Sequence, residues 1–141
     1  EKYGIFSHRE DISKLLSHIP NEYCFDFIRG VLDADGYFKH YTVSDRGHIV
    51  NKYIINFGGS PELLRYIENK LIEVNAINDI ERKISKRHPE RDGNYFKLSL
   101  SGRQNVLKVL GLLYNNSETY LDRKYDKYIN MKEGDSNINQ E

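Results

Sequence analysis

The run between Asn21 and Asp33 constrains this chain more than any other. Its apolar residues Tyr23, Cys24, Phe27, Ile28, Val31 and Leu32 fall on two sides of a helix rather than in one stripe, so the helix must be covered on both. Asn21 is the expected cap. Gly30 interrupts this helix at a cost of about 1 kcal/mol relative to alanine, which is explained if another backbone approaches closely there. A partner helix is therefore expected. Asp33 and Asp35 follow, at the helix end where the macrodipole is negative and a carboxylate is disfavoured by up to about 1 kcal/mol. Two acids there need an offsetting cation, and Gly36 gives the permissive backbone by which the helix stops. The same four residues, Asp33 to Gly36, also read as a plain helix stop and turn, for which Asp and Gly are ordinary choices. A calcium loop of the EF-hand type does not fit, because the glycine is misplaced and no glutamate closes the loop.

Periodicity supplies the elements around that helix. Ile12, Leu15, Leu16 and Ile19 predict a short helix, capped by Asp11 and stopped by Pro20. Tyr37 to Val43 and His48 to Phe57 predict a hairpin with its turn at Ser44 to Gly47. Ser60 and Pro61 predict the cap and first turn of an amphipathic helix through Leu63, Leu64, Ile67, Leu71 and Val74. A second hairpin is expected from Ile80 to Arg87 and Tyr95 to Leu100, then a helix with a capping box at Ser101 and Gln104, then a last helix through Leu121, Tyr125, Tyr128 and Ile129. The fold class is α+β: one four-stranded antiparallel sheet with helices on one face and extra helices at both termini. Residues 1–132 are expected as a single domain, and 133–141 as a disordered tail with almost nothing to bury.

Ile28 to Gly36, IRGVLDADG, resembles the LAGLIDADG motif, with Phe27, Tyr37 and Phe38 as suitable flanks. The element order resembles that family's αββαββα domain with a C-terminal helix, over roughly residues 11–132. The resemblance implies a homing endonuclease that cuts double-stranded DNA as a homodimer on a near-palindromic site. It implies that two motif helices pack through Gly30, Phe27 and Ala34, and that each delivers one acid, Asp35, to the scissile phosphates. Asp35 and the Ala34 carbonyl would ligate Mg²⁺, with Mn²⁺ as a substitute, while Asp33 and Gly36 support the turn. Hard oxygen donors near phosphates suit such an ion, which lowers the pKa of a bound water. Tyr120 to Tyr125 resembles the family's short motif on the last helix, and its lysine, Lys124, would act catalytically. At the end of the second strand, where the family often carries a polar side chain that holds water, this sequence has Gly58 and Gly59, leaving only Ser60 for that role.

Alternation along the strands places Phe38, Tyr53, Ile55, Phe57, Ile80, Arg82, Ile84, Phe96, Leu98 and Leu100 on the core side, with Arg82 the anomaly. The opposite side then carries Lys39, Tyr41, Asn56, Lys83, Ser85, Arg87, Tyr95, Lys97 and Ser99, donors and planar groups suited to phosphates and base edges. The chain is neutral overall, so a basic face must be local. Between Asp79 and Arg103, seven basic residues face four acidic ones. No apolar run approaches the ~18 residues of a membrane span, and a lone Cys24 builds neither a disulfide nor a zinc knuckle, so a reducing, intracellular setting without membrane contact is expected. The alternatives are a non-catalytic DNA-binding module of the same fold, an RNA-splicing maturase, and an intein insert.

Overall fold

A computed structural model describes residues 9–86, 95–115 and 122–140. Its elements are α1 (Arg9–Ser17), α2 (Cys24–Asp35), β1 (Tyr37–Asp45), β2 (His48–Gly59), α3 (Pro61–Glu73), β3 (Ile84–Ser85), β4 (Phe96–Ser101), α4 (Arg103–Tyr114) and α5 (Asp122–Gln140). The four strands form one antiparallel sheet in the order β1-β2-β4-β3. The α+β architecture read from the sequence is the one observed.

β1 and β2 form a long hairpin whose two-residue turn, Arg46 and Gly47, has positive φ at both positions, the geometry that matches the twist of paired strands. Alternation then sorts the sheet. Phe38, Tyr53, Ile55, Phe57, Leu98 and Leu100 are buried and meet Leu64, Ile67, Val106 and Leu110 of the helices in one core. α3 begins as its sequence dictates: the Ser60 hydroxyl accepts the Leu63 N–H at 3.3 Å, and Pro61 occupies the first helical position.

Several boundaries differ from the sequence reading. Asn21 does not cap α2; it opens a 3-10 turn, Asn21–Tyr23, and its side chain accepts from Lys70. α4 starts after Gly102, at φ 97°, with no side-chain cap, so the Ser101 and Gln104 capping box does not form. The strand expected over Ile80 to Arg87 is reduced to Ile84–Ser85 within the described residues, and Ile80, placed in the core by alternation, is 61% exposed. Glu68 is the physical reason. Its buried carboxylate takes the Arg82 N–H at 2.9 Å and the Arg65 guanidinium at 2.7 Å, while the Arg82 guanidinium folds back on the Asn78 and Ile80 carbonyls. Arg82 therefore serves a connection between α3 and β3 rather than a strand, which resolves its anomalous parity. Helix α5 continues to Gln140, so residues 133–140 extend it where composition predicts a disordered tail.

Candidate active site

The end of α2 is fixed by three contacts. Lys124 of α5, only 6% exposed, donates from Nζ to the Leu32 carbonyl at 2.5 Å and the Gly36 carbonyl at 2.6 Å. The Leu32 carbonyl also accepts the Gly36 N–H at 3.0 Å, so the lysine adds a second hydrogen bond there, and its ammonium places a cation at the negative end of the helix macrodipole. Tyr114 of α4 donates to Asp33 Oδ1 at 2.6 Å, and burial, followed by that bond and the aspartate's charge, pushes its phenol well above the usual range. Arg29 ties the same pair of helices, reaching Asp26 at 3.0 Å and the Leu113 carbonyl at 3.4 Å.

Gly36 is needed for space rather than for an unusual backbone. Its φ of −110° and ψ of 179° are extended, but an added Cβ would lie 2.6 Å from the Asn56 carbonyl and 2.8 Å from a Leu32 methyl. Permissive backbone, the reason read from the sequence, is not what this position uses. Asp33 is committed to Tyr114, whereas Asp35 is exposed at the helix tip beside Tyr37, Asn56, Gly58, Tyr95 and Lys97.

On the outer side of α2, Gly30 and Ala34 are exposed, and a Cβ built on Gly30 meets nothing within 4 Å. Phe27 is half-buried and stacks edge-on with Tyr66 at 5.9 Å, closing one side of an apolar groove with Leu15, Leu16, Ile19 and Leu63. The three residues therefore lie along an accessible strip of the helix.

The sheet face away from the core carries most of the expected nucleic-acid residues. Lys39 and Tyr41 are exposed, with the Lys39 ammonium 4.9 Å from the Tyr41 ring and 6.0 Å from Tyr37. Tyr95 is exposed, and Lys97, Ser85 and Ser99 are half-buried. Asn56 departs from expectation: it is buried between its cross-strand neighbours Tyr37 and Ser99 and is hydrogen-bonded to the Ser99 hydroxyl. Lys83 is exposed but belongs to no strand. Arg87, Tyr120 and Leu121 lie outside the described residues. Ser60, the one residue the sequence offered for holding water, spends its hydroxyl on the α3 cap.

Two features were missed. Lys127, one turn beyond Lys124, sits 5.4 Å from the Phe38 ring and lines a cleft of about 330 Å³ with Asp33, Ala34 and Lys124. The i, i+3 spacing of the two lysines was the available signal. The other is the bond from the Tyr95 hydroxyl to the Asp35 carbonyl at 3.1 Å, which joins residues sixty apart and has no local signature.

No family model matches the sequence, and no curated protein matches it. Solved structures do. The homing endonuclease I-CvuI, in complex with the I-CreI target in the presence of Mg, aligns at TM-score 0.58 and 17% identity, over 80% of this chain and 66% of that one. The LAGLIDADG homing endonuclease I-LtrWI, bound to target DNA, aligns at 0.63 and 20%, over 86% of this chain and 39% of that one. The homing endonuclease I-TnaI aligns at 0.52 and 14%, over 78% and 74%. The chain thus spans just under two thirds of I-CvuI and about two fifths of I-LtrWI.

Proposed function

We propose that this chain, whose fold is that of the LAGLIDADG homing endonucleases, hydrolyses both strands of duplex DNA at a specific site as a symmetric homodimer. The observation that carries this reading is the tip of α2. An exposed acid, Asp35, stands where the helix meets the outer sheet face, beside the accessible strip Phe27, Gly30 and Ala34. Pairing two such strips about a two-fold axis would bring two acidic tips together beneath one duplex.

The donor set fits a hard divalent cation only as half of a site. Among the described residues, no three His, Cys, Asp or Glu side chains converge. One carboxylate, Asp35, and the neighbouring Ala34 carbonyl are the oxygen donors at each tip, so phosphate oxygens and the second tip would complete the shell, the manner in which Mg²⁺ is commonly held. A bound cation would supply Lewis-acid stabilisation of charge at the scissile phosphate. The chain's own residues do the rest. Lys124 holds the helix end, Asp33 and Tyr114 lock α2 to α4, and Lys39, Tyr41 and Lys97 contact backbone and base edges from the sheet. No helix among the described residues is long and apolar enough to cross a membrane.

A second reading, a DNA-binding module without cleavage, is favoured by Gly58 and by the commitment of Ser60 to its cap. Incubation with Mg²⁺ and a plasmid library carrying randomised sites separates the two. Cleaved plasmids are expected, and Asp35→Asn is expected to abolish cleavage while binding persists. Retarded but uncut plasmids would support the second reading instead.

A further inference from the structure

The glycine at position 58 is not simply a missing side chain. Gly58 and Tyr95 lie on the same, outer side of the sheet, where β2 pairs with β4 through Gly58 with Lys97 and Gly59 with Phe96. A Cβ built on Gly58 would overlap the Tyr95 hydroxyl, lie 2.5 Å from Tyr95 Cζ and approach the Asp35 carbonyl to 3.2 Å. The phenol thus occupies the volume into which any side chain at 58 would project. It donates its proton to the Asp35 carbonyl at 3.1 Å.

We infer that Tyr95, admitted by Gly58, is the positioning residue that holds the Asp35 tip and orders water beside it, in place of a polar side chain at the end of β2. This rests on the nuclease reading above. A phenol that donates its proton keeps acceptor capacity, so it can take a hydrogen from a water while its own goes to the carbonyl. Beside it opens a cavity of about 50 Å³ lined by Asp35, Tyr37, Asn56, Gly58, Tyr95 and Lys97, more than the ~15 Å³ that one water needs. The wall is largely apolar, Phe57 included, but Asp35, Asn56, Tyr95 and Lys97 each bring a polar side chain to it, enough partners for one ordered water. The hydroxyl also restrains the backbone of the residue whose carboxylate is the proposed cation ligand. Supporting contacts of this kind are typically worth 10–100-fold, roughly, in metal affinity or activity.

The test compares four proteins on a duplex recovered as cleaved by the wild type: wild type, Tyr95→Phe, Tyr95→Ala, and Tyr95→Ala combined with Gly58→Gln. Single-turnover cleavage in Mg²⁺ is measured beside DNA affinity in Ca²⁺, Mn²⁺ affinity by electron paramagnetic resonance, and thermal midpoint. Tyr95→Phe is expected to cut at least about tenfold more slowly and to bind Mn²⁺ more weakly, with DNA affinity and midpoint unchanged. The double variant is expected to regain rate over Tyr95→Ala, because the amide re-enters the vacated volume. A Tyr95→Phe protein with wild-type rate and Mn²⁺ affinity would overturn the inference and leave the nuclease reading standing, as would a double variant no faster than Tyr95→Ala. A wild type that binds library duplexes and cuts none would overturn both.

Discussion

Lys124 and Tyr66 show how differently two buried polar groups can be treated. The Lys124 ammonium closes two carbonyls at the end of α2, whereas the Tyr66 hydroxyl is buried without a hydrogen-bond partner among the described residues. Removing one partner of a buried bond leaves the other unsatisfied, while removing an orphan relieves a desolvation cost. Lys124→Met, which removes the ammonium from the Gly36 carbonyl while the Leu32 carbonyl keeps the Gly36 N–H, is therefore expected to destabilise the fold by about 1–3 kcal/mol, and Tyr66→Phe to be neutral or to stabilise by about 1 kcal/mol. Urea denaturation of the two variants checks both signs. A Lys124→Met protein of wild-type stability would remove the lysine from its capping role and leave it the catalytic one that the resemblance implies. Such detail was half legible. The need for a cation at the helix end followed from the macrodipole and two acids, and Lys124 could be named, but its carbonyl partners depend on how α5 packs.

Legibility at the element scale depended on whether local pattern or distant partners fix an element. The β1–β2 hairpin, α2 and α3 were readable because turn chemistry, two-sided apolarity and the Ser60–Pro61 cap are all local. The Ile80 to Lys83 segment was not, because Glu68 from α3 takes the Arg82 N–H that a ladder would have used. Asn56 was placed on the correct side of the sheet, yet neighbours on both flanking strands bury it. For α2 itself, the open space at Gly30 makes a sharp prediction. Gly30→Arg is expected to leave the single chain folded, since the position is exposed, a Cβ there meets nothing within 4 Å, and the helix loses a glycine worth about 1 kcal/mol. It is expected to prevent self-association on DNA. Circular dichroism with light scattering checks this, and a Gly30→Arg protein that still pairs would show that another face forms the dimer.

Across the whole molecule, the sheet separates two roles. One side is closed by α2, α3 and α4 over a single core; the other presents Lys39, Tyr41 and Lys97, with Lys97 beside the Asp35 tip. A neutral chain with such a local arrangement should bind duplex DNA with an affinity that falls steeply as salt rises, through release of counterions from the phosphates. The resemblance in sequence pointed to this division, and the solved structures share the fold at 14–20% identity. What neither sequence nor a single chain contains is the second acidic tip, so the central claim concerns assembly. The most direct measurement is the mass of the protein complexed with its selected duplex, by sedimentation equilibrium in Ca²⁺. Two chains per duplex are predicted; one chain per duplex, at saturating protein, would contradict the account.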